Sequence, residues 1–380
     1  MNSQAVPAIE NTPNILYLAF ELSRKKWRLG FSDGRSATVR QVTISAGDLQ
    51  ACGEEIEKAK QRYGMAATAG VRSCYEAGRE GFWLHRALTE KGIENMVVDA
   101  SSIEVNRRQR RAKTDRMDVE KLVRQLIRYV RGERDVWRVV RVPDAEAEDL
   151  RQTHRELETL KEERTQHRLR IQSLLFTQGI DMKVGATFWK KLDGLRCWNQ
   201  QPIPTQMKRR IEDECHRLQL VEAQIREIQK AQAERVKRAD QDQVMEKVRK
   251  LQQLIGIGRS SSWIFVMELF GWRQFKNRRE VAGAVGLTPT PYDSGDSVRE
   301  QGISRAGNRR VRRLLIEIAW CWLRLQPNSK LSHWYKQRFA GGGARMRRIG
   351  IVAMSRRLLI DLWRYVEVGQ IPAGAQLKAQ

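Results

Sequence analysis

The sequence predicts a mixed α/β domain over residues 13–143, long helices of coiled-coil type over 144–250 and a mainly α-helical domain over 251–380, behind a polar tail at 1–12. Three observations predict this order. Short apolar runs bounded by turn residues fill the first part. Apolar residues at heptad spacing fill the second. Basic segments with helical periodicity fill the third.

In the first part, Asn14 to Glu21, Lys26 to Ser32 and Thr38 to Ile44 read as β-strands, with Asp33-Gly34 as a hairpin turn between the second and third. Ala46 to Arg62 has a helical pattern, Ala66 to Tyr75 a strand pattern, Gly81 to Lys91 an amphipathic helical one, and Asn95 to Asp99 is a short apolar strand. The order βββαβαβ followed by a helix matches the ribonuclease H-like plan, and other α/β folds fit it too.

In the second part, Leu150, Leu157, Leu160, Ile171 and Leu174 form a heptad seam interrupted at Arg164 and His167. A second helix carries Ile211, Leu218, Val221, Ile225 and Ile228. Between them, Gln178 to Pro204 holds Phe188, Trp189 and Trp198 and reads as a reversal. The pair is expected to pack as a hairpin or to join protomers; a plain spacer fits equally.

The third part opens with Leu254-Ile255-Gly256-Ile257-Gly258 before an apolar helix, Ser261 to Phe270. This spacing suits a helix-hairpin-helix element whose turn offers N–H groups to a phosphate, or an ordinary helix connection. Pro289, Pro291 and Gly295 mark a loop over Thr288 to Arg299. A helix from Asn308 to Leu325 turns Leu315, Ile318, Ala319 and Trp322 inward, and a last basic helix runs from Arg345 to Val366.

Seventy Lys and Arg against forty-five Asp and Glu give a net charge of +25 in 380 residues, which calls for a polyanionic partner. Residues 251–380 alone hold twenty-two basic and eight acidic residues, a net of +14. A basic binding protein without chemistry satisfies the charge equally well. Five scattered cysteines without a CxxC pair argue against a disulfide framework or a zinc module. No secretory leader and no apolar run long enough for a membrane span is read, so a cytoplasmic location and no membrane partner are expected.

Four carboxylates carry the chemical reading. Glu21 ends the first strand and Glu76 the fourth; Asp115 and Asp118 lie three apart at the start of a helix and so share a face. Such a cluster repels itself unless a cation fills it, and Mg²⁺ favours a few carboxylates with water and phosphate oxygens. Taken alone, an acid pair in a first helical turn is dipole compensation, with Thr114 as cap. Further on, Ser294 stands among Arg299, Arg305, Arg309 and Arg310, where guanidinium groups bind phosphate. Phosphate binding and serine attack on a phosphodiester are both open from spacing alone.

Tyr17-x-x-x-Glu21, Tyr75-Glu76-Ala77-Gly78, Thr114-Asp115-x-x-Asp118, and Gly286-Leu287-Thr288-Pro289 running into Tyr292-x-Ser294-Gly295 and Ser304-x-Ala306-Gly307 occur in this order. Over nearly the whole chain they resemble the insertion-sequence transposases that pair a RuvC-like DEDD domain with a C-terminal transposase domain, the bridge-RNA-guided recombinases of the IS-one-ten family. The resemblance implies a RuvC-like fold, Mg²⁺ or Mn²⁺ at Glu21, Glu76, Asp115 and Asp118, and Ser294 as nucleophile. It also implies DNA as substrate, a structured guide RNA as partner, and a homo-oligomer of at least two protomers. Glu21 departs from the family's usual Asp by one methylene. A RuvC-like nuclease or junction resolvase and a non-catalytic nucleic-acid-binding scaffold are the alternative readings.

Overall fold

A computed structural model describes residues 14–103, 115–185, 187–238, 242–294 and 297–379. The chain divides into two compact units, 1–142 and 143–380.

The first unit is built on five strands: β1 (Ile15–Leu22), β2 (Lys26–Ser32), β3 (Arg40–Ser45), β4 (Gly70–Glu76) and β5 (Glu94–Val98). Their order is β3-β2-β1-β4-β5. β1, β2 and β3 form an antiparallel meander, whereas β4 lies parallel to β1 and β5 parallel to β4. Alternation along β1 sorts its side chains between two cores. Leu16, Leu18 and Phe20 pack with Ile56 of helix α1 (Leu49–Arg62) and Leu84 and Leu88 of α2 (Trp83–Glu90). Tyr17 and Ala19 face the opposite way, against Val119, Leu122, Val123 and Leu126 of α3 (Asp115–Val130).

The connection from β2 to β3 is longer than the tight Asp33-Gly34 hairpin turn expected. Phe31 pairs with Arg40, so residues 32–39 intervene. Asp33 instead caps the loop, its Oδ1 accepting from the Arg35 and Ser36 N–H groups at 3.0 and 2.7 Å. β3 starts at Arg40 because that guanidinium is fixed there, ion-paired with Glu55 on α1 and lying 5.4 Å from the Phe31 ring centroid. The Thr114 cap position lies outside the described residues.

The second unit opens with two long helices, α4 (Ala145–Phe176) and α5 (Thr205–Arg238). They pack side by side and antiparallel: Leu157 and Leu160 meet Val221 and Ile225, while Ile171 and Leu175 meet Ile211 and Leu218. The break expected at His167 is a polar layer. Its Nδ1 lies 2.6 Å from the buried Glu214 carboxylate, which Arg217 also reaches at 2.8 Å. A buried charge set of this kind fixes the register of a helix pair, since a slip strands it in apolar surroundings.

The remaining helices, α6 (Gln243–Gln253), α7 (Arg259–Phe265), α8 (Arg278–Ala284), α9 (Arg309–Leu325), α10 (Lys330–Tyr335) and α11 (Ala344–Val368), enclose one apolar core. Leu315, Ile318, Ala319 and Trp322 point into it, as their spacing predicts. The turn from α6 to α7 at 254–258 is sealed by the C-terminal segment: Ile255 N–H donates to Gln376 O at 3.2 Å, and Lys378 Nζ donates to Ile257 O at 3.0 Å. The expected phosphate-facing hairpin there is thus partly engaged within the chain. The segment expected as a loop over Thr288 to Arg299 is an antiparallel ribbon, β6 (Pro289–Ser294) and β7 (Ser297–Ile303). Proline is compatible with a two-stranded ribbon, because each strand has an edge where no N–H is required.

Candidate functional site

Two of the four carboxylate positions, Glu21 and Glu76, lie at one end of the first sheet. Phe20 lies opposite Tyr75 in the parallel ladder, so the next residues, Glu21 in the last pair of β1 and Glu76 at the end of β4, lie side by side. Both continue the alternation of Ala19 and Cys74, the face covered by α3. That helix runs antiparallel to β1. Its late residue Arg131 donates to Gly34 O at 2.6 Å, near the start of β1, while Val119 and Val123 sit over Gly30, opposite Ala19. Two residues onward along a strand advance about 6.6 Å, and four residues back along a helix retreat about 6 Å. Cys74 Sγ touches Leu122 O at 4.0 Å, so Glu76 and Asp118 come to the same level. Glu21 and Asp118 are half-buried and Glu76 is exposed.

Asp115 is the first residue of α3, but its side chain is outside the described part. Three carboxylates at one sheet end are hard oxygen donors and suit a divalent cation of the magnesium type. Among the described residues no three His, Cys, Asp or Glu side chains are close enough to hold an ion by themselves. Each of Glu21, Glu76 and Asp118 has an interaction partner.

In the second unit the β6–β7 ribbon carries Ser294, opposite Ser297, and Arg299, opposite Tyr292. The side chains of Ser294 and Arg299 lie outside the described part. The root of the ribbon is defined closely. Ser304 N–H donates to Thr288 O at 2.9 Å, Arg305 N–H to Gly286 O at 3.1 Å and Asn308 N–H to Ala284 O at 2.9 Å. Gly286 and Gly307 have φ of 67° and 104°, and a Cβ at either would lie 2.1 Å from Ala306 O or 2.4 Å from Ala284 O. Only glycine fits where the two backbones cross. Arg305 is held at φ 56°, left-handed backbone that costs a branched or long side chain about 1 kcal/mol and recurs at functional sites.

The arginine run after this root is divided by the helical period. Asn308 caps α9, its Oδ1 accepting from Val311 N–H at 3.0 Å. Arg310 donates to Glu158 Oε2 at 2.5 Å, and Arg313 is ion-paired to the same carboxylate. Arg309 and Arg312 fall on another face; Arg305 and Arg309 are exposed. Arg310 is therefore bound within the chain, unlike Arg305 and Arg309.

Sequence reasoning missed Glu268, which is 1% exposed. It accepts from His154 Nε2 at 2.9 Å, Arg155 Nε at 3.1 Å and Asn308 Nδ2 at 2.9 Å, with Arg310 at 3.5 Å. Burial pushes its carboxyl up, but the hydrogen bonds from His154 and Arg155 and their charges outweigh burial and hold it well below the usual carboxylate range. The available signal was a lone acid in the apolar run Trp263 to Phe270, since a buried charge must be paired. Glu268 ties α4 to the cap of α9 and thereby fixes where the arginine run begins.

Comparison with known proteins places the chain among transposases. Residues 248–333 match the family described as Transposase IS116/IS110/IS902. The chain is 38% identical over 391 residues, 99% of its own length and 98% of the other's, to "Putative transposase y4rJ" of Sinorhizobium fredii (strain NBRC 101917 / NGR234). It is 29% identical over 290 residues, 76% of its length and 67% of the other's, to "Putative transposase y4qE" of the same organism. The chain belongs to the IS116/IS110/IS902 family of insertion-sequence transposases. Its partner is accordingly DNA. Among the described residues no helix is long and apolar enough to cross a membrane.

Two outcomes test this geometry. Gly286→Ala is expected to lower unfolding free energy in urea by about 3 kcal/mol, from left-handed strain and overpacking together; a change within about 0.5 kcal/mol contradicts the crossing. The depressed Glu268 carboxyl contributes stability that is present above its ordinary value of 4.5 and is lost as pH falls below it. Glu268→Gln is expected to cost about 3 kcal/mol at neutral pH and to flatten the acid loss of stability. Parallel pH–stability curves for the two proteins would contradict the assignment.

Proposed function

We propose that the first unit is a RuvC-like, ribonuclease H-like domain whose carboxylates hold a divalent metal, and that the chain cleaves and rejoins DNA through Ser294. The observation that carries the reading is the in-register parallel pairing of β1 with β4, which brings Glu21 and Glu76 to one level beside the start of α3. The strand order β3-β2-β1-β4-β5 with one antiparallel strand inside supports the fold.

Glu21, Glu76 and Asp118, completed by Asp115, would hold Mg²⁺ or Mn²⁺. The ion would supply charge neutralisation at a phosphodiester. The Ser294 hydroxyl attacks a DNA phosphorus: an Oγ–P bond forms, a P–O bond to a sugar oxygen breaks, and the serine proton ends on the released sugar hydroxyl. The phosphoserine ester conserves the bond, so a second sugar hydroxyl displaces Ser294 without a nucleotide cofactor. Arg305 and Arg309, exposed beside the ribbon root, bind phosphate and offset the charge that builds during transfer.

A structured guide RNA selects the DNA in this reading; the net charge of +25 supports a second polyanion. The chain acts as a homo-oligomer of at least two protomers. Trp198, 76% exposed, and Phe176, 70% exposed, near the reversal of the α4–α5 pair support a contact there. The pair itself supports the coiled-coil reading.

The test is a cleavage reaction with Mg²⁺ on labelled element-end DNA, resolved on a denaturing gel. The unmodified chain is expected to leave a protein-linked strand, lost completely in Ser294→Ala while DNA binding persists. Full activity of Ser294→Ala, or free cut ends with no linked strand, would overturn the serine mechanism; the second result marks a hydrolytic nuclease.

A further inference from the structure

The second unit holds a groove of about 1630 Å³, of whose described lining the catalytic reading uses Arg305 alone. It runs from the ribbon root across α9 and α10 to α11 and the C-terminal segment, collecting residues from Arg278 to Ala373. Of the described residues, eight arginines and Lys330 line it against one carboxylate, Asp361. Among the described residues, none of those eight arginines is ion-paired, in contrast with Arg310 and Arg313 on the other face of α9. Arg312 shows the consequence: burial, then the charges of Arg305 and Arg309, press its pKa below the usual value, and its NH1 reaches only a carbonyl, Val285 O, at 2.8 Å. Burial also draws the Asp361 carboxyl up, which weakens that counter-charge.

The floor is apolar. Met346, Ile349 and Ile371 are each nearly half exposed, and Trp334 and Phe339 stand edge to face at 5.3 Å between centroids. Arg357 lies 4.0 Å above the Trp334 ring, which holds its guanidinium at the groove surface. A duplex would set only phosphates and sugars against such a floor, because its base faces are stacked inside. An acidic peptide would leave the aromatic wall without stacking partners. A single strand presents both phosphates and base faces, which is what arginine rims around an apolar floor accommodate.

We propose that this groove binds an unpaired stretch of nucleic-acid strand, with phosphates on the arginine rims and bases against Trp334, Met346 and Ile349. The proposal rests on the strand-exchange reading only for the source of unpaired strand.

The probe is labelled oligothymidine, measured by fluorescence anisotropy in EDTA with the full chain. An abasic strand and a blunt duplex of equal length serve as the other arms. Arg348→Gln with Arg356→Gln is expected to weaken binding about tenfold and to reduce the slope of log affinity against log salt by about 1.4, from about 0.7 per lost phosphate contact. The abasic strand is expected to bind at least about tenfold more weakly. Equal binding of normal and abasic strands, preference for duplex, or an unchanged salt slope overturns the proposal. Loss of self-association by the double variant in sedimentation also overturns it, since the occupant is then a second copy. Should the variant fail to fold, photocross-linking of bromouracil-substituted strand to the unmodified chain decides: adducts within 330–364 support the groove, and adducts elsewhere overturn it. Ser294→Ala is expected to bind oligothymidine normally, so a chain that binds as described but forms no DNA adduct defeats the serine mechanism alone.

Discussion

Parallel pairing of β1 with β4 is the constraint on which the first unit depends. A parallel ladder needs a crossover, here α1 and β-meander strands on one side of β1, and it ends both strands at the same edge. The two strand-end acids therefore become neighbours although fifty-five positions separate Glu21 from Glu76. A one-residue slip would turn Glu21 into the α1 and α2 core and Phe20 onto the α3 face. The burial of Leu16, Leu18 and Phe20 on one face and of Tyr17 and Ala19 on the other thus holds the acids in register. Like charges brought together this way are costly unless a cation or donors compensate them.

The second unit solves a different problem, the placement of many arginines near one another. Glu158 and Glu268 hold Arg310 and Arg313 from one side, while the glycine crossing at 286 and 307 aims Arg305 from the other. The helical period of α9 then turns Arg309 and Arg312 to a face where, among the described residues, neither is ion-paired. Internal ion pairs and free cationic surface come from one short run of sequence, and the division between them is made by α-helical geometry.

Much of this was legible in the residues. Short apolar runs bounded by turn residues located the strands of the first unit, and the spacing of Leu315, Ile318, Ala319 and Trp322 identified the buried face of α9. The strand-end positions of Glu21 and Glu76 were readable because apolar runs stop there. The β6–β7 ribbon was not, because Pro289 and Pro291 carry a loop signal that an edge-bearing ribbon tolerates. Glu268 was hidden because its partners lie more than a hundred positions upstream and forty downstream. The groove had no local signature, since it draws its lining from seven separate segments brought together only by packing.

The most direct measurement is calorimetric titration of Mn²⁺ into the unmodified chain and into Glu76→Gln, with thermal melting of both metal-free proteins alongside. A shared carboxylate site predicts saturable binding that Glu76→Gln weakens by at least about tenfold, with a metal-free melting temperature unchanged or raised as like-charge repulsion is relieved. Equal Mn²⁺ affinity in the two proteins would contradict the site.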